Sequence, residues 1–248
     1  MEKKIRVGAV SYLNTKPLLW GLNHSVLKGV IDLSLDYPAN LVPLLKSDII
    51  DVGLVPVAAL LDMDEYHFVS DYCIGADGEV ASVAIFSEVP LHEIKKVYLD
   101  YQSRTSVMLC RVLFKFHWKQ DVEFIQAKDE TYLDQIQGTT AAVIIGDRAM
   151  EHRSKVKYHF DLGLAWKEMT GLPFVFATWV SHRQLETSFM EDFNKMNKFG
   201  LKNLDKVIEE LGEVPYDVEK YYKHNISYDF NEEKKRGLSL FFEKIRSL

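Results

Sequence analysis

The sequence predicts an α/β fold of two units, with strands joined by crossover helices. Three observations predict it. Short apolar runs alternate with helix-like segments from the first residues onward, the rhythm of parallel strands joined by crossover helices. The same local pattern, a strand followed by hydroxyl residues and then a helix start, opens near Ile5 and again near Lys95. Two extended stretches, residues 80–86 and 174–180, sit where the chain would cross from one unit to the other and back. The expected division is residues 1–87 with 178–248 as one domain and 88–177 as the other.

The elements follow in order. Residues 5–10 form a short apolar run that reads as a buried strand. Asn14 and Thr15 are N-cap residue types, and Pro17 suits a first helical turn, where its missing N–H costs nothing. A helix over about 18–22, a strand over 30–36, a helix over 39–46 and a strand over 52–55 complete a βαβαβ run. A further apolar stretch over 68–75 ends at the turn signal Ala76-Asp77-Gly78, and the strand over 80–86 carries one hydroxyl, Ser82, near its start. The second unit reads as strands over 95–99, 123–126, 141–145 and 158–162, with helices over 107–116, 131–136 and 164–170. Gly171 and Pro173 give that last helix a clean stop. From Leu185 the pattern is helical, with Phe189, Phe193, Met196 and Phe199 on one expected apolar face and further helices over 201–211, 217–222 and 231–245. The tail shows no chemistry, and Lys234-Lys235-Arg236 after Glu232-Glu233 reads as a solvated helix face.

Composition excludes several function classes. The chain has 248 residues, 47% hydrophobic and 27% charged, with a net charge of −6. That is ordinary for a globular protein and disfavours a nucleic-acid partner. No apolar run approaches the roughly 20 residues of a membrane span, and the N-terminal apolar stretch is too short and too early for a signal peptide core. A cytoplasmic location without membrane attachment is expected. Cys73 and Cys110 lie in apolar contexts and read as buried free thiols. The eight histidines are scattered without metal-ligand spacing, and no glycine-rich nucleotide loop occurs, so neither metal nor cofactor is expected.

What remains is polar chemistry at strand ends, where open α/β sheets bind ligands. Ser11, Asn14 and Thr15 follow the first strand. Ser103, Thr105 and Ser106 open the helix of the second unit, and capping alone needs one of the three hydroxyls. First-turn N–H groups and the helix dipole make such a start suited to a carboxylate or phosphate. Gly146 ends a strand and allows close backbone or ligand approach, while Asp147 reads as the cap of the next helix. Two α/β units with such helix starts are the plan of a hinged binding fold, in which a small ligand is held in a cleft.

These residues resemble one family. Arg6-Val7-Gly8, Ser11-Tyr12-Leu13-Asn14-Thr15-Lys16-Pro17, Asp51-Val52-Gly53-Leu54-Val55-Pro56, Asp77-Gly78 with Ser82 and Ser87, Thr105-Ser106, Ile145-Gly146-Asp147, Asp161-Leu162-Gly163, Trp166 and the run from Thr170 to Phe176 are similar to the chorismate dehydratases of the futalosine route to menaquinone and their sister cyclases. Each piece is weak alone; their order and spacing over residues 5 to about 180 are specific. The resemblance implies a two-domain α/β fold of the type II periplasmic-binding-protein-like kind, with mixed sheets, flanking helices and a two-stranded hinge, used as a cytoplasmic hydro-lyase. The cyclases are marked by a histidine where this chain has Gly146, which favours the dehydratase. One departure is Pro56-Val57, where relatives carry a hydroxyl, so any contact there is backbone or apolar.

The implied substrate is dianionic chorismate, converted by loss of water to 3-[(1-carboxyvinyl)oxy]benzoate. For that substrate, one carboxylate is expected at the helix start of Ser103, Thr105 and Ser106 and the other nearer Ser11, Asn14 and Ser82, with Gly146 and Asp147 also against substrate. Arg104 and Arg148 are weaker candidates. An amide is not basic at neutral pH, so Asn14 is no general base, and Asp77 and Asp147 read as turn and cap residues. The expected base is the substrate's own enolpyruvyl carboxylate, with Asn14 and Ser82 orienting it and assisting the leaving hydroxyl. Two alternatives stand beside this reading: a solute-binding protein for small anions with the same fold, and the sister cyclase.

Overall fold

The computed structural model describes residues 4–248. In chain order the elements are β1 (Ile5–Ala9), α1 (Lys16–His24), β2 (Ile31–Leu35), α2 (Pro38–Lys46), β3 (Val52–Pro56), β4 (His67–Ala76), β5 (Val83–Ser87) and β6 (Lys96–Leu99). There follow α3 (Arg104–Val112), β7 (Glu123–Gln126), β8 (Thr140–Ile145), α4 (Asp147–His152), β9 (Tyr158–Asp161), α5 (Leu162–Thr170) and β10 (Phe174–Ser181). The chain closes with α6 (Thr187–Lys202), α7 (Leu204–Leu211), α8 (Val218–Lys220), β11 (Ser227–Asp229) and α9 (Glu232–Arg246). It divides into two compact units, Met1–Gly75 with Val175–Asn231, and Ala76–Phe174 with Glu232–Leu248.

The sheet of the first unit has the order β11-β4-β10-β3-β1-β2. Strand β1 lies between β2 and β3 and is parallel to both, while β10 runs antiparallel to β3. The β3 sequence VGLVP is buried at its first four positions rather than at alternate ones, as expected for a sheet covered on both faces. Helix α1 crosses α6 with backbones nearly in contact. A Cβ on Gly21 would stand 2.2 Å from the Met196 carbonyl oxygen, and one on Gly200 would stand 1.9 Å from that of Pro17.

This crossing corrects the expected face of α6. The buried residues are Phe193, Met196, Asn197 and Gly200. Phe199 is 38% exposed and stacks on Trp20 instead. A glycine carries no hydrophobic signal, so the periodicity shifted the stripe by one position.

The second sheet has the order β7-β6-β8-β5-β9. Strands β6, β7 and β8 are mutually parallel, and β5 runs antiparallel to both of its neighbours. Strand β5 therefore belongs to this sheet, whereas the sequence reading put it in the first domain. A strand's own residues fix which face is buried, not which strand it pairs with. Helix α9 is the second such case. Phe241 packs edge-on against Trp166 and Phe174, with centroids 5.8 and 4.8 Å away. Gly237 lets the helix approach the Pro173 carbonyl, 2.3 Å from where a Cβ would stand. Lys234, expected on a solvated face, is only 1% exposed on the packed side of this helix, while Lys235 pairs with Glu232 at 2.7 Å. Cys73 and Cys110 are free and buried.

In the first unit, Asp51 is a buried anion between two arginines. Its carboxylate accepts the Arg6 backbone N–H and the Arg6 side chain, each at 2.9 Å, and also the Arg183 guanidinium. Burial opposes its ionisation, but the Arg6 hydrogen bonds and the charges of Arg6 and Arg183 outweigh it and hold the carboxyl down to about 2. A depressed folded value means that the group stabilises the fold above the ordinary aspartate value and loses that contribution as pH falls through about 2. Asp51→Asn should lower stability by about 1–2 kcal/mol at neutral pH, discounted because both arginines are partly exposed. Urea melts should show that gap narrowing between pH ~4 and ~2. Gly200→Ala should cost about 3 kcal/mol by forcing α1 and α6 apart, read from the same melts.

Candidate functional site

In each sheet the strand directions collect several chain ends on one edge. In the second sheet that edge carries the residues after β6, β7, β8 and β9 together with the residues before β5. Ser82, the Asp100-to-Ser106 segment, Gly146 and Asp147 all lie there. Gly146 N–H donates to the Ser82 carbonyl at 2.7 Å, which joins two of the predicted positions directly.

Ser82 stands in a turn and not in the strand, which begins at Val83. Its N–H donates to the Val80 carbonyl at 2.8 Å, closing a three-residue γ-turn around Ala81. Ala81 has φ 64°, a strained value for a residue with a Cβ. Asp161 holds the turn. Its carboxylate accepts the N–H groups of Val80 at 3.1 Å and Ala81 at 2.8 Å, and also caps α5 through Leu164 N–H at 3.0 Å. Asp161 is 7% exposed, and burial pushes its carboxyl above the ordinary range even against these three donors. The sequence reading quoted Asp161 within a motif but gave it no role.

The approach to α3 is pinned in the same way. Asp100, 1% exposed, accepts from Gln102 N–H, the Tyr132 hydroxyl and Arg148 at 2.7, 2.7 and 2.8 Å. Burial raises its carboxyl despite these donors. Arg148 also lies over the Tyr101 ring, 5.3 Å from its centroid. Arg148 thus ties the β8 end to the α3 start. At that start Ser103 is the N-cap: its Oγ accepts Ser106 N–H at 3.2 Å and donates to Ser106 Oγ at 2.8 Å. This corrects the argument from surplus hydroxyls, because Ser103 and Ser106 satisfy each other and Thr105 is 1% exposed. Asp147 is not a cap either. Gly146, with φ 65° and ψ −146°, occupies the N-cap position, a backbone shape for which glycine suits, and Asp147 is the exposed first residue of α4. Asp77 is taken by Lys167 at 2.6 Å.

In the first sheet the corresponding edge carries the ends of β1, β2 and β3. Ser11 is exposed there and accepts Lys16 Nζ at 3.1 Å. Asn14 lies in a single 3-10 turn, Leu13–Thr15, held from three sides. The Thr15 hydroxyl reaches the Val10 and Tyr12 carbonyls, both at 2.7 Å, in place of a helix cap. The Tyr222 hydroxyl donates to the Leu13 carbonyl at 2.9 Å and the Tyr228 hydroxyl to the Asn14 carbonyl at 3.0 Å. Asn14 Oδ1 is buried with no hydrogen-bond partner among the described residues. Both tyrosines come from the tail in which the sequence showed no chemistry; no local pattern marks a residue whose partner is more than 200 positions away. Among the described residues, no group of three or more His, Cys, Asp or Glu could hold a metal ion, and no helix is long and apolar enough to cross a membrane.

Two α/β sheets of this topology, with polar turns at their strand ends, define the periplasmic-binding-protein fold. A protein of Candida albicans described as having that generic fold superposes with a TM-score of 0.65 at 12% identity, covering 99% of this chain and 94% of the other. The periplasmic aliphatic sulphonate binding protein of Escherichia coli gives 0.66 at 14% identity over 100% and 97%, and a protein of Archaeoglobus fulgidus 0.73 at 16% over 98% and 97%. Within that fold the chain belongs to the menaquinone biosynthesis family, whose pattern it matches over residues 5–247. It is 27% identical over 234 residues to the chorismate dehydratase of Thermus thermophilus, covering 84% of each chain.

Asp161→Asn replaces an oxygen acceptor facing the Val80 and Ala81 amides with a donor. Stability should fall by about 2 kcal/mol, and hydrogen exchange at Ala81 and Ser82 should quicken more than at Leu99.

Proposed function

We propose that this protein is a chorismate dehydratase, eliminating water from chorismate to give 3-[(1-carboxyvinyl)oxy]benzoate. The observation that carries the reading is the match, over 84% of both chains, to the enzyme of that name from Thermus thermophilus. The held turns at Asn14 and Ser82 support it, because the motif residues assigned to chemistry stand on backbone fixed by buried hydrogen bonds.

The chemistry asks little beyond geometry. A proton leaves the ring carbon that bears the enolpyruvyl ether, its C–H pair becomes a ring double bond, and the neighbouring C–O bond breaks to release hydroxide, which leaves as water. Aromatisation supplies the driving force, so the protein orients the reacting groups and assists proton transfer. We assign the proton acceptor to the substrate's enolpyruvyl carboxylate. The Asn14 side chain offers its amide N–H donors to the carboxylate and to the departing hydroxyl. Ser82 assists that hydroxyl. We assign the ring carboxylate to the α3 start, with Thr105 and Ser106, where the helix dipole favours it; the Ser106 N–H itself is taken by the Ser103 cap. Ser11, Ser103, Gly146 and Asp147 complete the proposed substrate contacts.

The test is to incubate purified protein with chorismate, without added metal or cofactor, and to follow products by chromatography and mass. The expected result is loss of one water. Saturable binding without turnover would instead favour a solute-binding protein, the role of the Escherichia coli structural relative. Asn14→Ala and Ser82→Ala should each lower kcat by about 100-fold or more while changing KM little. Near-normal turnover in both variants would overturn the assignment.

A further inference from the structure

The outer face of α3 carries a stripe that the proposed reaction does not use. Arg104, Met108 and Arg111 recur at spacings of four and three and so share one helical face. Beside Arg104, Met108 and Arg111 the second unit has a cavity of about 530 Å³, within the range typical of small-molecule sites. Its apolar walls are Val107 and Met108 from α3, with Ile245 and Leu248 at the C-terminal end. Arg104 and Arg111 stand about 10 Å apart along the helix axis, two turns of a helix, and give the cavity two positive charges.

The other polar groups of the lining are already committed. The Asp100 carboxylate, with a side chain 0% exposed, is matched by Arg148 and the Tyr132 hydroxyl. The Gln126 amide nitrogen reaches the carbonyls of Leu99, Asp100 and Ala127. The Tyr101 hydroxyl is engaged by Gln102 and Glu130 at 3.0 and 3.4 Å. Arg111 is different. It forms no ion pair among the described residues and rests over the Phe124 ring, 4.8 Å from its centroid. A guanidinium held over a ring keeps its hydrogen-bonding edge available for a planar anion. Phe124 and Arg111 also line an adjoining cavity of about 440 Å³, so the arginine stands where the two meet.

We propose that this cavity is a second ligand site, distinct from the substrate contacts assigned to Ser82, Thr105 and Ser106, for a small aromatic carboxylate. The carboxylate meets Arg111, and the ring lies against Val107, Met108 and Ile245. A charged group alone would leave the apolar walls unused, and a neutral ring would leave Arg111 unmatched. The cavity also touches Asp100 and Tyr101, which lead directly into the N-cap of α3. An occupant therefore contacts the loop that positions the α3 start, and its binding is linked to binding there.

The probe is 2-naphthoate, titrated into the full-length protein by calorimetry and by amide NMR. Binding in the millimolar range or tighter is expected, with the largest shifts at Val107, Met108, Arg111 and Ile245. Arg111→Gln should weaken it about tenfold or more, and Arg111→Lys, which keeps the charge but not the planar fork, by less. Met108→Glu should weaken it as well by placing a like charge in the cavity. Each variant is first shown to keep the wild-type melting temperature and circular dichroism, since the probe experiment is read from folded protein; neither side chain is in the proposed catalytic machinery. The proposal is overturned by no binding of 2-naphthoate, by unchanged affinity in Arg111→Gln and Met108→Glu, or by full competition from chorismate, which would place the probe in the substrate site. The titration does not depend on turnover, so its failure and the failure of the dehydratase reading are distinguishable.

Discussion

The Asp161 carboxylate does three jobs with two oxygens. It caps α5, and it fixes the two amides that precede Ser82 in a turn whose centre, Ala81, is strained. A free chain would relax that turn, since φ 64° at alanine is unfavourable. Burying a carboxylate would also be costly without donors. Each cost is offset by the other: the amides satisfy the carboxylate, and the carboxylate holds the amides. The β8 end joins this arrangement through Gly146 N–H on the Ser82 carbonyl.

The same device recurs at Asp100 and Asp51. Asp100 gathers Gln102, Tyr132 and Arg148 at the approach to α3, and Asp51 gathers Arg6 and Arg183 in the other unit. Removing one partner of such a group leaves a buried charge uncompensated, so each fixes a local geometry rather than adding loose surface charge. The first unit adds a different solution at Asn14. There the carbonyls of a single 3-10 turn are taken by the hydroxyls of Tyr222 and Tyr228, while the buried Asn14 Oδ1 has no hydrogen-bond partner among the described residues. These turns hold their backbone in place by hydrogen bonds from distant segments, the kind of preorganisation that the proposed chemistry requires.

Much of this was legible in the sequence because it is local. Apolar runs located β1, β2, β3 and β7 within a residue or two, and Pro17 and Gly171 marked a helix start and a helix stop. The polar residues after strands pointed to the sheet edges on which Ser11, Ser103 and Gly146 stand. Legibility failed where the deciding partner is distant. The pairing of β5 with β8 and β9, the burial of Lys234, and the close approach of Gly21 to Gly200 each depend on a segment that no window around the residue contains.

By itself the sequence determined the α/β rhythm, the strand ends that carry polar residues and the family to which they belong, because periodicity and short motifs act over a few residues. Only the tertiary structure decided which hydroxyls are spent on capping, which carboxylates are buried and neutralised, and which tail residues reach back to hold Asn14. Those outcomes follow from hydrogen bonds and desolvation between segments far apart in the chain, and the balance of burial against partner is set only when the segments meet.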